Sequence, residues 1–499
     1  NHIRWSRYGD RNEISLQEAQ MRTFNNFIWR FAQTEGNYNF SSGSRGKGNL
    51  SSEANPYFLF PQIYNFRYNI FSSEWPVANR VIELYLQKKS ENGGWERQIN
   101  GISNNEKAVL LLEKRTFKEL LVDMELRNLQ NNIVGQEASR LFARAEINMG
   151  VEAFRDSLYS LLKRNTFLNI KFENMLDTLG EISRTDIRSL LGEWEKTTPL
   201  PFYSLGEPTL TKITNKGGEE FFVLKMLISN NSDYDGIIHM DIRKDGWWYQ
   251  PLEDPRAKTK IEMPAHTSKE FVSVWEDQIR NVEINTMVSG NLPNIISQDI
   301  NNVKQERNKI VKDSIYILPE SSFDLPGEII VDNEDSTLFI LSAPPIVGLL
   351  PKWLDEVEET PFKYSGISWW RPPLQWTATT NDRYYGKYIR SAFVIKSGDG
   401  SQTATWKVPV PEVGQYDLYY HVFKDDELRW NNNLQGEYHF KVKYGSEVED
   451  AYVNLRKANE GWEQLGSYYF DSDTIRVVLT DECKLRSVTA DAVKIVKRY

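Results

Sequence analysis

At 499 residues, with 40% hydrophobic and 13% aromatic side chains, the chain can bury about three cores, which excludes wholesale disorder. A net charge of −9 with no basic block argues against a phosphate-binding surface, and so against nucleic acid as a partner. The one cysteine, Cys483, excludes an internal disulfide, and the most apolar run, Leu338 to Leu350, is short and broken by Pro344 and Pro345, so no membrane span is expected.

The chain begins at Asn1 with neither an initiator methionine nor a signal-peptide pattern, and it reads as a fragment of something longer. Residues Leu16 to Gln33 predict an amphipathic helix, with Met21, Phe24, Phe27, Ile28 and Phe31 near a helical period. A Gly/Ser/Asn-rich tract from Gly36 to Ser52 predicts a loop, and Trp75-Pro76 leads into a short helix through Leu86. From Asn104 a stripe of Val109, Leu112, Thr116, Leu120 and Met124 predicts one helix. Gly135 to Met149, Val151 to Leu162, Phe172 to Leu179 and Thr185 to Trp194 predict four more, ending at Pro199-Leu200-Pro201.

Phe154-Arg155-Asp156, the helix from Phe172, Thr185-Asp186-Ile187 and Trp194 make residues 55–205 resemble the C-terminal half of the catalytic domain of gluzincin aminopeptidases. Such enzymes grip zinc with H-E-x-x-H on a helix, two imidazoles one turn apart with a glutamate as general base. The sequence has no such motif, and His2, His239, His266, His421 and His439 stand singly. The equivalent stretch, Tyr64-Asn65-Phe66-Arg67-Tyr68, offers no ligand pair. Residues 1–205 are therefore read as a helical, degenerate peptidase-like region, or as one whose metal motif lies upstream of Asn1.

Strand alternation resumes from Pro208 to Val288, with Phe222, Leu224 and Met226 on one face and Ile238, Met240 and Ile242 on that of another strand. Gly217-Gly218 and Asp235-Gly236 supply turns, so residues 206–290 predict an immunoglobulin-like sandwich. The polar stretch 291–326, with a charged helix-like piece from Gln305 to Asp313, reads as a connector.

The last unit, 327–499, is β again. Tyr468, Phe470, Ile475, Val477 and Leu479 have strand spacing around the turn Asp471-Ser472-Asp473, and Ala490 to Val496 predicts a closing strand. Here a second resemblance is carried by Ile329 to Asp335, Tyr384-Tyr385-Gly386, Ala404-Thr405-Trp406, Gly414 to Tyr419, Gly461-Trp462 and Ala490 to Val493. Together these are similar to golvesin-type domains, β-sandwiches also found on xanthan lyases and treated as carbohydrate-binding-like. An insertion, Ser342 to Ser365, departs from that pattern. The resemblance implies an extracytoplasmic setting and a polysaccharide partner.

Flat aromatic rings suit the apolar C–H faces of sugars, and Trp369, Trp370, Trp376, Tyr384 and Tyr385 cluster in sequence near Arg371, Gln375, Asn381 and Asp382. Sandwich tryptophans also fill cores, so packing is the competing reading. Trp430 falls in an interstrand loop, Asp425 to Gly436, where a ring faces solvent unless a ligand covers it. Asp491, between Ala490 and Ala492, is expected to be a buried carboxylate holding a loop, with Trp406 and Trp462 as structural residues. Asp332 to Asp335 and Asp425 to Glu427 lack calcium-loop spacing and read as turn acids. No nucleophile elbow or phosphate loop is present, and Cys483 beside Glu482 makes a poor thiolate. The fold expected is a multidomain α+β chain: helical bundle, Ig-like sandwich, golvesin-type sandwich. The function expected is non-catalytic binding or scaffolding, with no cofactor or metal. The alternatives are a piece of a zinc aminopeptidase-like enzyme or an accessory part of a polysaccharide lyase.

Overall fold

The computed structural model describes Met21 and residues 68–86, 94–165, 168–214, 217–244, 250–300, 302–307, 311–319, 327–342, 362–368, 371–424 and 436–498. A helical unit comes first. Its parallel pair β1 (Tyr68–Phe71) and β2 (Leu168–Lys171) packs with α1 (Ala78–Leu86), α2 (Gly94–Asn100), α3 (Asn104–Lys114), α4 (Phe117–Val122), α5 (Gln130–Met149), α6 (Val151–Arg164) and α7 (Phe172–Ser183). In α6, Phe154, Leu158, Leu161 and Leu162 share one face and are buried. Trp75 and Trp194 meet edge to face at 5.0 Å in the same core. Gly150 takes φ +86° between α5 and α6, ending one helix and starting the next at a conformation L side chains avoid.

The stripe from Val109 to Met124 is not one helix. Thr116 adopts an extended backbone and caps α4, accepting from the Glu119 N–H while Glu119 bonds back to Thr116. Met124, at the stripe's end, is exposed. Thr185 to Trp194 holds a 3₁₀ helix, Arg188–Glu195, rather than an α-helix. The expected Leu16 to Gln33 helix (Met21 apart), the Gly36 to Ser52 loop and Tyr64 to Arg67 lie outside the described residues.

The middle unit is a sandwich of β3 (Tyr203–Leu205), β4 (Thr209–Thr214), β5 (Glu220–Asn230), β6 (Gly236–Lys244), β7 (Gln250–Pro251), β8 (Lys258–Met263), β9 (Thr267–Trp275), β10 (Ile279–Asn285), β11 (Ile295–Asp299), β12 (Val303–Arg307) and β13 (Ser314–Pro319). One sheet runs β12-β4-β5-β9-β13 with β3 on β5. The other runs β11-β10-β6-β7 with β8 on β6. Leu224, Met226 and Ile228 face Ile238, Met240 and Ile242 across the core.

Residues 291–326, read as a connector, instead supply three of these strands, β11 pairing β10, β12 running parallel to β4 and β13 pairing β9. Gln305 and Glu306, expected in a helix, lie in β12. An edge strand needs backbone pairing on one side only and can be polar, so no apolar period announces it.

The C-terminal unit comprises β14 (Glu328–Val331), β15 (Phe339–Ser342), β16 (Thr377–Thr380), β17 (Ser391–Lys396), β18 (Thr403–Pro409), β19 (Gly414–Val422), β20 (Glu437–Tyr444), β21 (Glu447–Asn454), β22 (Gly461–Phe470), β23 (Thr474–Thr480), β24 (Ser487–Ala490) and β25 (Val493–Lys497). Sheets β14-β25-β19-β22 and β15-β18-β23-β20-β21 enclose a core of Trp406, Tyr416, Tyr420, Phe440 and Phe470, and β16-β17-β24 forms a short third sheet. The closing strand expected over Ala490 to Val496 is two strands. The chain leaves β24, paired with β17, and enters β25, paired with β19, so it changes sheets at Asp491 and Ala492.

The three units meet at one seam. Ile102, Leu292, Tyr364 and Ala378 pack together there, and Glu106 of α3 accepts from Ser103 N at 2.6 Å and Asn294 N at 2.9 Å. A Cβ on Gly366 would sit 1.9 Å from the Ile99 carbonyl oxygen, so only glycine permits this approach.

Candidate functional site

The sheet change at Asp491 organises a polar site in the C-terminal unit. Its carboxylate is fully buried. It accepts from the Tyr385 backbone N–H at 3.2 Å and lies 2.8 Å from His421 Nδ1. Its backbone carbonyl accepts from Trp406 Nε1 at 3.2 Å, and the neighbouring Ala492 carbonyl accepts from the His421 N–H at 2.9 Å. One residue thus ties the 381–390 loop, β18 and β19 together. Burial pushes the Asp491 carboxyl above its ordinary range, while His421, the Tyr385 N–H and Arg390 pull it back. Burial and the Asp491 charge push Asp332 up as well.

Above Asp491, three rings converge on the outer face of β19 and β22. The centroids of Tyr385 and Trp462 are 5.1 Å apart, those of His421 and Trp462 5.1 Å and those of Tyr385 and His421 5.8 Å. Strand register makes the pairing: inner residues Tyr416, Leu418, Tyr420 and Val422 are buried, so His421 turns outward, directly opposite Trp462. Lys494 of β25 places its ammonium 4.9 Å from the Trp462 ring and 5.3 Å from that of Tyr419, and pairs with Glu328 at 3.0 Å. Arg383, on the loop beside them, donates to the Lys424 carbonyl at 3.0 Å and to Glu460 at 3.2 Å. With Nδ1 turned to Asp491, His421 keeps Nε2 as its second ring polar atom, and Nε2 has no partner among the described residues.

The candidates named from sequence part company here. Tyr385 is in the cluster. Tyr384, next to it, is buried against Phe423, with ring centroids 4.6 Å apart. Trp376 is half-buried against the core, and its Nε1 is buried without a partner among the described residues. Trp369, Trp370 and Trp430 lie outside the described residues, as do Asp425 to Glu427. Trp406 is fully buried in the core. Trp462, named for structure, stands half-buried on the outer face beside Tyr385. His421 stands singly in the sequence. Its signal was its position, an odd-numbered outward residue in a strand whose even-numbered neighbours are apolar.

The acids 332–335 serve local structure. Asp335 accepts from the Asp332 N–H at 2.9 Å, and Glu334 accepts from the Tyr364 hydroxyl at 3.0 Å, from Lys363 and from Ser391. Among the described residues, no group of three His, Cys, Asp or Glu side chains is placed to hold a metal. Burial pushes the Cys483 thiol up. No described helix is long and apolar enough to cross a membrane.

Comparison with known proteins places this site within a recognised domain. Residues 372–497 match the family model of the Golvesin C-terminal domain. No curated protein matches the chain. Among solved structures, a Bacteroides uniformis β-glucuronidase aligns at 10% identity and a TM-score of 0.18, over 60% of this chain and 30% of that one. Bacteroides uniformis β-glucuronidase 2 covalently bound to cyclophellitol-6-carboxylate aziridine aligns at 11% identity and 0.18, over 70% and 38%. TmCBM61 in complex with β-1,4-galactotriose aligns at 13% identity and 0.14, over 34% of this chain and 86% of that one. The chain thus spans well under half the length of either glucuronidase.

Proposed function

We propose that this chain, which carries a Golvesin C-terminal domain, is a non-catalytic extracytoplasmic binding or scaffold protein. Its C-terminal unit holds a cell-envelope or environmental polysaccharide against Tyr385, His421 and Trp462. The observation that supports this is the arrangement of three rings within 6 Å of one another around an imidazole nitrogen that has no partner among the described residues, with Tyr385 and His421 held from beneath by Asp491. A sugar offers an apolar C–H face to such rings and a hydroxyl proton to Nε2. A ring covering about 80 Å² of apolar surface contributes roughly 2 kcal/mol, partly offset by ordering the glycan.

The test is affinity electrophoresis of the full chain in gels carrying neutral polysaccharides, preceded by a glycan array to choose them. Retardation that Trp462→Ala weakens about tenfold is expected. No retardation by any neutral polysaccharide, or equal retardation of the variant, overturns the site. The extracytoplasmic setting is checked separately, by whether protease added to intact cells degrades the protein.

A further inference from the structure

The outer face of the opposite sheet carries a different pattern. Lys407 of β18 stands directly across from Arg476 of β23, and Arg476 directly across from Lys443 of β20. Lys441 lies two residues along β20 on the same face. Trp406, Val408, Ile475, Val477 and Val442 are buried, so by alternation the four cations point outward. Three adjacent strands at ~4.8 Å spacing set the row about 10 Å long. Like charges directly opposed across strands destabilise a sheet.

Among the described residues none of the four cations has an ion-pair or side-chain hydrogen-bond partner. Asp450 stands opposite Lys441, but its carboxylate is held 2.7 Å from His439 Nε2. In a chain of net charge −9, three opposed cations are not a by-product of a basic surface.

We infer that this row binds a carboxylate-bearing polysaccharide. Its span is about that of a disaccharide, so successive acidic sugars can meet successive strands. Thr405 and Thr474, beside Lys407 and Arg476 on the same face, offer hydroxyls to a hydroxyl-rich chain. Among the described residues no aromatic side chain stands between Lys407, Arg476 and Lys443, Tyr452 lying at the sheet's edge stacked on His439, and the chain's overall charge repels a phosphate polymer, which disfavours nucleic acid. Exposed Ile340 and Val448, opposite Thr405 and Lys443, are single apolar side chains on the two edge strands of this face, too few to anchor it in a membrane interface. The inference does not rest on the aromatic cluster, which faces away on the other sheet.

The test uses the full chain in low salt, with polygalacturonate as probe. Dextran, a single-stranded oligonucleotide and phosphatidylglycerol vesicles are the comparison probes. Wild type is expected to bind polygalacturonate, to lose it at high salt, and to ignore dextran through this face. The double variant Arg476→Gln/Lys443→Gln is expected to bind at least tenfold more weakly, and Arg476→Lys to bind nearly as wild type. Absence of polygalacturonate binding, equal binding by the double variant, or tighter binding of the oligonucleotide or vesicles overturns the inference. So does binding that appears only when the acidic stretch Asp355, Glu356, Glu358 and Glu359 is neutralised, because the row would then serve that stretch.

Discussion

The two outer faces of the C-terminal sandwich follow the same alternation and resolve their charges in opposite ways. At β14-β25-β19-β22, Lys494, Lys497 and Arg498 have Glu328, Glu412 and Asp417 as partners, and Tyr385 and His421, whose rings meet Trp462, are held by buried Asp491. At β15-β18-β23-β20-β21, Lys407, Arg476 and Lys443 are aligned by register with no carboxylate between them among the described residues. On one face the fold answers its cations internally; on the other, among the described residues, it leaves them without a partner. The difference teaches that a surface's binding character depends on which charges the fold leaves unanswered more than on its composition.

The largest expected effect breaks the anchored face. Asp491→Ala removes the acceptor of the Tyr385 N–H and the partner of His421, both at a fully buried position. It should destabilise the C-terminal unit by about 3 kcal/mol, seen as a lowered calorimetric transition of the full chain. It should also release the ring cluster, so neutral polysaccharide binding is lost while polygalacturonate binding persists wherever the unit is still folded. An unshifted transition would show that the loop is held by something else.

Much of this architecture was legible before any coordinates. The helices from Gly135 to Leu162 and the strands around Tyr468 and Ile475 followed from period alone, because burial on one face imposes a pattern that sequence must obey. Asp491 was legible as a buried carboxylate because it interrupts an apolar run, although its run proved to be a sheet change rather than one strand. His421 and the row Lys407–Arg476–Lys443 were not legible. Alternation tells which residues face outward, but the alignment of residues distant in sequence is set by register, which depends on loop lengths and on the whole core. Strand β12 escaped for a related reason: a polar edge strand is paired by backbone, which every residue supplies equally, whereas β13 carries an exposed apolar run, Ile315 to Leu318, with no alternation to mark it.

A third way of resolving like charges occurs where the helical unit meets the middle sandwich, and it predicts a smaller, pH-dependent effect. His239 of β6 stands opposite Lys260, with Lys258 and Arg155 adding positive field. Burial and these cations, against the opposing pull of Asp241, bring its pKa down to about 4. A folded-state pKa below the unfolded value means that the unfolded chain takes up the proton first. Stability is therefore fully present above about pH 6.5 and is lost as pH falls towards 4. The loss should reach about 2 kcal/mol, discounted because the ring is only partly buried. His239→Gln should flatten the pH dependence of urea unfolding between pH 6.5 and 4, and an unchanged slope would show that other groups carry it. Histidine can resolve a cationic neighbourhood by staying neutral; arginine cannot.

That leaves the exposed row, whose ligand-free cost is the smallest effect and the sharpest form of the comparison. Arg476 has a lysine directly opposite on each side. Arg476→Gln should relieve both repulsions and stabilise the protein by about 0.5 kcal/mol at low salt. The side chains are exposed, so the gain should fade at about 1 M salt, where the screening length is about 3 Å. Lys494→Gln on the other sheet should do the reverse, because it removes a paired charge and a ring contact. Adding polygalacturonate should then raise the transition of wild type above that of Arg476→Gln, since a ligand stabilises only the form that binds it. If Arg476→Gln is destabilising at every salt concentration, the row is internally compensated, and the two faces differ in composition but not in what they leave unanswered.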